Sequence, residues 1–202
     1  MARRTKAEAE QTRLRILKAA LSLFVEQGYE RTTFEDVASR IRLTKGAVYW
    51  HFKSKPDLLI ELVVHMMAIH TDELGRALSD PSSLEELRDH FVERAALIVK
   101  TPASRRFFHM MTRLDWSAAK FASVRRRLRQ LETGIFSVIE RTLGGLQRQG
   151  VVRADVEVSA VTTVLGSMWL GLIKARMDQC LDMDLLQAVA LGFDMVIGSI
   201  RA

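Results

Sequence analysis

The apolar residues of this chain recur with the period of a helix along nearly its whole length. Near the start, Ile16, Leu17, Ala20, Leu21 and Phe24 follow one another at helical spacing, and Gly28 can cap the end of that helix. Similar patterns predict helices over 33–41, 44–52, 104–113, 121–149, 156–176 and 184–200. Almost no β-branched alternation is present, so the sequence predicts an all-α protein.

Capping signals indicate where several of these helices begin. Pairs that fit a capping box occur at Thr33 with Asp36, at Ser54 with Asp57 and at Ser83 with Glu86. The Ser54 pair predicts a fourth helix that runs to about residue 71 and links the two parts of the chain. The sequence Asp80-Pro81-Ser82 predicts a break before the fifth helix.

Residues 33–55 have the pattern of two short helices joined by a tight turn. Val37, Ala38 and Ile41 give the first helix one apolar face, and Val48 is expected to point inward from the second. The outward positions of the second helix begin with Lys45 and Gly46, a cation beside a residue without bulk. Such residues suit the end of a recognition helix that enters the major groove of DNA. We expect the aromatic residues Trp50 and Phe52 to seal the small core.

The charge distribution indicates a polyanionic partner for the same region. Residues 1–55 contain twelve Lys and Arg against six Asp and Glu, whereas residues 56–202 contain eighteen of each. The whole net charge of +6 therefore belongs to the first quarter of the chain. A localised positive field of this kind attracts nucleic acid through counterion release, although a solvated basic arm would have the same composition.

The residues from Arg13 to about Leu62 resemble the TetR family of bacterial regulators. The resemblance is dense at Gly28-Tyr29, Thr32-Thr33 and Val37-Ala38, and above all over 45–55, KGAVYWHFKSK. The opening MARRTKAEAEQTR and the run Tyr49-Trp50-His51-Phe52 are most similar to the AcrR-type repressors of multidrug efflux pumps. The resemblance implies a three-helix DNA-binding head over 1–55 and a larger helical ligand-binding and dimerisation domain over 56–202.

The resemblance also implies a set of DNA contacts. Lys45 is expected to read a base edge, and the residues expected to open the recognition helix or hold phosphates are Thr33, Thr44, Gly46, Tyr49, His51 and Lys55. Arg42 stands in the turn, where family members usually carry Gly. A left-handed backbone there would cost Arg about 1 kcal/mol, which a phosphate contact could offset.

The C-terminal part is rich in aromatic residues and methionine. Most such residues form ordinary core, but as a set they could line a cavity for varied apolar ligands. The residues predicted to bind a small hydrophobic or amphipathic ligand are Phe91, Phe108, Met111, Trp116, Phe136, Met168 and Trp169.

Small residues in the last two helices suggest close contact between helices. They are Gly166, Ser167, Gly171 and Gly192. Small residues are often mere packing, but the resemblance implies a homodimer formed by a four-helix bundle of these helices. Two recognition helices spaced about 34 Å apart read a palindrome in double-stranded operator DNA.

The sequence argues against an enzyme and against a membrane protein. It contains no nucleophile elbow, no phosphate-binding glycine loop and no paired metal-ligand spacing, so no cofactor or metal is expected. The longest uncharged stretch, 158–173, is shorter than a membrane span and is expected to be a buried helix. The lone Cys180 and the absence of an apolar leader suit the cytoplasm. We therefore expect a ligand-responsive repressor, with a regulator of a metabolic operon or an architectural DNA-binding protein as alternatives.

Overall fold

The structure is a computed structural model that describes residues 6–77 and 83–202, without the side chains of residues 70–77, 132, 133 and 135. Its helices are α1 (Lys6–Glu26), α2 (Phe34–Arg40), α3 (Lys45–His51), α4 (Lys55–Ala77), α5 (Leu84–Lys100), α6 (Pro102–Arg113), α7 (Ala122–Arg148), α8 (Val158–Met177) and α9 (Leu185–Ile200). A 3₁₀ turn over Ala119–Phe121 precedes α7. The described residues contain no strand, only an isolated bridge between Val152 and Arg201, which confirms the all-α prediction.

The predicted helix boundaries lie close to the observed ones. The main differences are that α4 extends to Ala77 and that α6 begins at Pro102, whose missing N–H costs nothing in the first turn of a helix. The capping box of Thr33 is present, and Ser83 caps α5 by accepting a hydrogen bond from the Glu86 N–H at 3.2 Å. The predicted break at Asp80-Pro81-Ser82 lies outside the described residues.

The first three helices pack against one another through fully buried apolar side chains. Ile16 of α1, Val37 of α2 and Val48 of α3 are fully buried, and Phe52 at the end of α3 is buried with them. Because α2 and α3 have only seven residues each, they depend on this packing for stability more than on helix propensity.

The core of this head continues into the next part of the chain. One cluster of buried apolar residues joins α1, α2 and α3 to α4, α6, the 3₁₀ turn and the start of α7. A second cluster is built from α5, the end of α7, α8 and α9. The head therefore shares a hydrophobic core with α4 and α6, and its separation from the remainder at residue 55 stays a prediction.

Helix α8 is apolar on more sides than this core can cover. Leu165 and Ile173 are buried in the second cluster, but Val164 and Leu170 are exposed. By length and composition alone α8 could cross a membrane, but one such helix is weak evidence for a membrane protein. The expectation of a buried helix is thus met on one face of α8 only, and its other face lacks a partner within the described protomer.

Candidate DNA-binding surface and ligand pocket

The turn between α2 and α3 is held tightly in place. The Leu43 N–H donates to the Ala38 carbonyl at 2.9 Å, and the Arg15 guanidinium donates to the Ile41 carbonyl at 2.9 Å. Arg42 between them has φ 56°, the left-handed conformation in which glycine is most comfortable. Arg42 therefore has the left-handed backbone that was considered for this position. Its side chain is exposed in the turn that precedes the recognition helix.

The first turn of α3 presents an open surface. Thr44 caps the helix by accepting a hydrogen bond from the Ala47 N–H at 3.2 Å, while Lys45 and Gly46 are exposed beside it. The Lys45 ammonium lies 3.4 Å from the Glu35 carboxylate, an exposed pair that DNA phosphates can replace at little cost. The position of Gly46 is uncrowded, since a Cβ there would meet only Thr44 Oγ1, at 3.9 Å.

Thr33 caps α2 on the same side of the head. Its hydroxyl donates to the Asp36 carboxylate at 2.8 Å and accepts from the Asp36 N–H at 3.2 Å. Hydrogen bonds from the Thr33 N–H and hydroxyl lower the pKa of Asp36 from its ordinary value. Capping uses the hydroxyl but leaves Thr33 exposed, so a phosphate contact there stays a prediction.

The aromatic residues of α3 do not all lie where expected. Phe52 is buried, but Trp50 is 72% exposed, so the expectation that it seals the core is wrong. Val48 and Phe52 are four residues apart and share the inner face, and Trp50 lies two positions from each, on the opposite side. Tyr49 is also exposed, with its ring packed edge-on against Phe34 at 4.8 Å between centroids. The helical period, applied strictly, would have identified Trp50 as a further candidate DNA contact.

Lys55 makes contacts that the sequence did not indicate. Its ammonium donates to the carbonyls of Tyr29, Glu30 and Thr32 at 2.8, 2.9 and 3.1 Å. It also lies 4.5 Å from the centroid of the Tyr29 ring. Partial burial lowers the pKa of Lys55, and the nearby Glu30 carboxylate opposes that shift. The free side chain expected for a phosphate contact is therefore not observed, because three carbonyls occupy its three donors.

His51, the remaining predicted contact in this region, is half-buried at the end of α3. Its ring meets Trp50 at 4.6 Å between centroids, in an edge-on arrangement. The structure thus exposes Arg42, Thr44, Lys45, Gly46 and Tyr49 of α3 and the turn before it, whereas His51 is only partly accessible. A DNA contact by any of them remains a prediction.

Part of the predicted ligand set lines one pocket beneath the head. Phe108, Met111 and Trp116 face a pocket of about 370 Å³, together with Leu170, Ile173 and Met177 of α8. The Trp116 ring is fixed by a hydrogen bond from its Nε1 to the Met111 carbonyl at 2.7 Å. An apolar pocket of this size can hold a small drug-like molecule.

The other members of that set make contacts between helices. Phe91 is buried, with its ring 5.2 Å from Trp169 and 4.6 Å from Phe193 between centroids. Phe136 of α7 packs on Gly166, and Met168 of α8 packs on Gly192, so closely that a Cβ at either glycine would overlap the facing side chain. In the described residues these four side chains therefore serve packing, and the structure does not gather all seven around one cavity.

Two of the four residues predicted for the dimer interface instead pack within the protomer. Gly166 is buried against α7 and Gly192 faces α8, so the small size of each serves packing within the protomer. Ser167 and Gly171 are exposed. The exposed large apolar side chains of α8 and α9 include Val164, Leu170, Leu191 and Met195. Glycine content alone could not distinguish the two faces of α8.

The fold and the surface of α3 together define a helix-turn-helix transcription regulator. Residues 16–62 match the family model described as bacterial regulatory proteins of the tetR family. That range covers the end of α1, all of α2 and α3, and the first part of α4.

Similar proteins extend the match beyond the head. The regulator TtgW of Pseudomonas putida is 34% identical over 111 residues, which cover 55% of this chain and 80% of that protein. The transcriptional regulator AcrR of Shigella flexneri is 29% identical over 179 residues, covering 86% of this chain and 82% of AcrR. The structure of SmeT in complex with triclosan has a TM-score of 0.85 at 27% identity, covering 95% of this chain and 92% of SmeT. SmeT is the repressor of the multidrug efflux pump SmeDEF of Stenotrophomonas maltophilia.

This chain belongs to the TetR family of bacterial regulators and is of the AcrR type. It is a DNA-binding repressor and not an enzyme.

Proposed function

We propose that the chain represses a multidrug efflux operon in the cytoplasm as a homodimer, and that a small hydrophobic or amphipathic ligand releases it from a palindromic operator. The observation that carries this proposal is the position of α6. Phe108 and Met111 of α6 line the apolar pocket, while Phe107 and Met110 lie in the core shared with the head. A ligand that displaces α6 therefore acts directly on the packing beneath the DNA-binding helices.

For the DNA contacts we propose that Lys45 reads a base edge at the start of α3. Its exposure, and the absence of bulk at Gly46, allow the helix to approach the groove closely. The residues proposed to contact the DNA backbone are Thr33, Arg42, Thr44, Tyr49, Trp50 and His51. Lys55 is proposed to position the head through its carbonyl contacts.

For the dimer we propose that α8 and α9 pair with the same helices of a second copy. Ser167 and Gly171 on α8 lie on the exposed side of that helix with Val164, and α9 exposes Leu191 and Met195. Met195 is 70% exposed, and it is one of several exposed large apolar side chains on these two helices, which together favour a covering partner. An isologous four-helix bundle would bury this face and account for the apolar surface of α8.

The proposed mechanism has two states. In the ligand-free dimer the two α3 helices have the spacing of the operator half-sites, and ligand binding favours a packing of α4 and α6 in which that spacing is lost. Coupling of this kind is reciprocal, so operator DNA weakens ligand binding by the same factor as the ligand weakens DNA binding. Equal ligand affinity with and without operator, measured by calorimetry, would contradict it.

The first experiment measures binding of the purified protein to its own upstream intergenic DNA and to scrambled DNA of equal length, at physiological salt. We expect sequence-specific binding by a dimer and release by hydrophobic drugs, with triclosan among those added. Sequence-specific binding that no drug affects, but that a metabolite relieves, would favour a metabolic operon. Binding indifferent to sequence, with one salt slope on both DNAs, would favour an architectural protein.

A variant at Lys45 tests the assignment of the recognition helix. Lys45→Ala is expected to cost about 1–3 kcal/mol of specific binding and to relax preference at one operator position. Lys53→Ala is the matched control, since Lys53 is also exposed but follows α3 and lies outside its first turn. Identical losses and identical base preferences for the two variants would exclude base reading by Lys45.

A further inference from the structure

A second pocket opens on the other side of α6. It has a volume of about 690 Å³ and lies between the end of α1, the corner of α5 and α6, and the segment that follows α8. The pocket is lined by Arg105 and Arg106 of α6 and by Arg176 of α8. His109, one turn further along α6, also lines it. No carboxylate is among the described residues that line this pocket.

The three guanidinium groups are not neutralised by ion pairs within the described ranges. None of them forms an ion pair there, whereas the neighbouring carboxylates are already engaged. Glu26 pairs with Arg40 at 2.7 Å, and Asp178 pairs with Lys174. The hydrogen bond from Arg40 is the main cause of the lowered pKa of Glu26, and Arg106 contributes less. The pocket therefore keeps an excess of positive charge.

Apart from Gln179, the remaining wall of this pocket is apolar. Val25 of α1, Val99 of α5, and Met177 and Leu181 at the end of α8 contribute side chains to it. Met177 also lines the smaller pocket of Phe108, Met111 and Trp116, so the two pockets adjoin. A cationic rim over an apolar wall is complementary to a molecule with an anionic head and a hydrocarbon body.

We propose that this pocket binds an amphipathic organic anion, with its acidic head held by Arg105, Arg106 and Arg176 and its hydrocarbon part on the apolar wall. This site adjoins the apolar pocket proposed above for the releasing ligand, but it differs from that pocket in the three guanidinium groups that line it. Because Val25 belongs to α1, an anion bound here contacts the head as well as the C-terminal helices.

Calorimetry with decanoate and 1-decanol tests the proposal on the full chain without DNA, so its result does not depend on operator release. The two probes share a hydrocarbon chain and differ in the charge of the head. We expect decanoate to bind at least tenfold more tightly than 1-decanol and to lose affinity as salt is raised. Equal affinity for the two probes would overturn the proposal.

Matched double variants locate the bound anion. Arg105→Gln with Arg106→Gln is expected to weaken decanoate binding at least tenfold, because two of the three guanidinium groups are lost. Arg126→Gln with Arg127→Gln removes the same charge from an exposed part of α7 and should leave binding unchanged. Circular dichroism establishes that both variants fold. Equal decanoate affinity in the two double variants would refute the site.

A third variant separates the two pockets. Trp116→Ala enlarges the apolar pocket and is expected to leave decanoate affinity within about twofold of the parent. Loss of decanoate binding in Trp116→Ala, with retention in the Arg105 and Arg106 variant, would place the anion in the apolar pocket and overturn the proposal.

Discussion

Removal of the Lys55 ammonium should destabilise the head without removing a phosphate contact. Lys55→Met keeps most of the apolar stem but deletes three hydrogen bonds, of 2.8 to 3.1 Å, and the contact with the Tyr29 ring. Hydrogen bonds to a charged group contribute about 1.5 kcal/mol or more each when buried. A cation–π contact at a partly exposed site adds about 0.5 to 1 kcal/mol.

The net loss should be smaller than the sum of these contributions. The ammonium is only partly buried, the exposed carbonyl of Glu30 can recover water, and the desolvation of the charge opposes its contacts. We therefore expect a decrease of about 2 kcal/mol in the free energy of unfolding. For a chain of this length, that decrease corresponds to a fall in Tm of about 4 to 8 °C.

The assay is urea denaturation at one fixed protein concentration, because association contributes to apparent stability. Lys53→Met is the matched control, with an exposed side chain that makes no ion pair in the described part of the chain, and we expect it to change stability by less than about 0.5 kcal/mol. The salt dependence of operator binding should keep its slope in Lys55→Met. Unchanged stability, with a slope reduced by about one ion, would show that the ammonium binds phosphate and that its carbonyl contacts contribute little.

Four further changes have expected outcomes. Trp50→Ala should weaken operator binding in a fluorescence anisotropy assay and leave the unfolding midpoint unchanged, because the ring is exposed; a large loss of stability would mean that it packs in the head. Arg42→Gly should raise stability by about 1 kcal/mol in denaturation, since φ is positive there, and should weaken DNA binding. Gly166→Ala should lower the free energy of unfolding by about 1–3 kcal/mol in urea denaturation, because its Cβ would overlap the Phe136 ring of α7, whereas Gly134→Ala, where a Cβ would meet nothing within 4 Å, should not lower it; equal losses would contradict this packing. Asp36→Asn should reduce the loss of stability on acidification. The carboxylate has a lowered pKa in the folded state, so its contribution is complete above its ordinary value of 3.8 and is lost as pH falls below it.

Local features of the sequence were sufficient to predict the helices and the head. The capping box at Thr33, the cap at Thr44 and the inward face of Val48 all follow from residues within one or two turns of each other. Such short-range preferences act before any tertiary contact forms, so a reader of the sequence can apply them directly. Trp50 obeys the same period, since it lies two positions from both Val48 and Phe52 and is exposed.

The contents of the pocket and the dimer face required contacts between distant residues. Phe108 and Trp116 share a pocket with α8, but Phe91 and Trp169 do not join them, although all four have the same apolar character. Gly166 packs against Phe136 of α7, whereas Gly171 is exposed, because the two glycines lie on different sides of α8. No local pattern distinguishes these positions.

The helical class, the helix-turn-helix and the positive charge of the head can be predicted from the sequence, because each depends on composition or on neighbours along the chain. Which charged side chains are engaged in hydrogen bonds, and which line a common pocket, depends on the tertiary structure. It placed the Lys55 ammonium on carbonyls 23 to 26 residues earlier and brought Arg105, Arg106 and Arg176 to one pocket. The physical reason is that burial and pairing are set by the relative placement of whole helices, which sequence spacing does not specify.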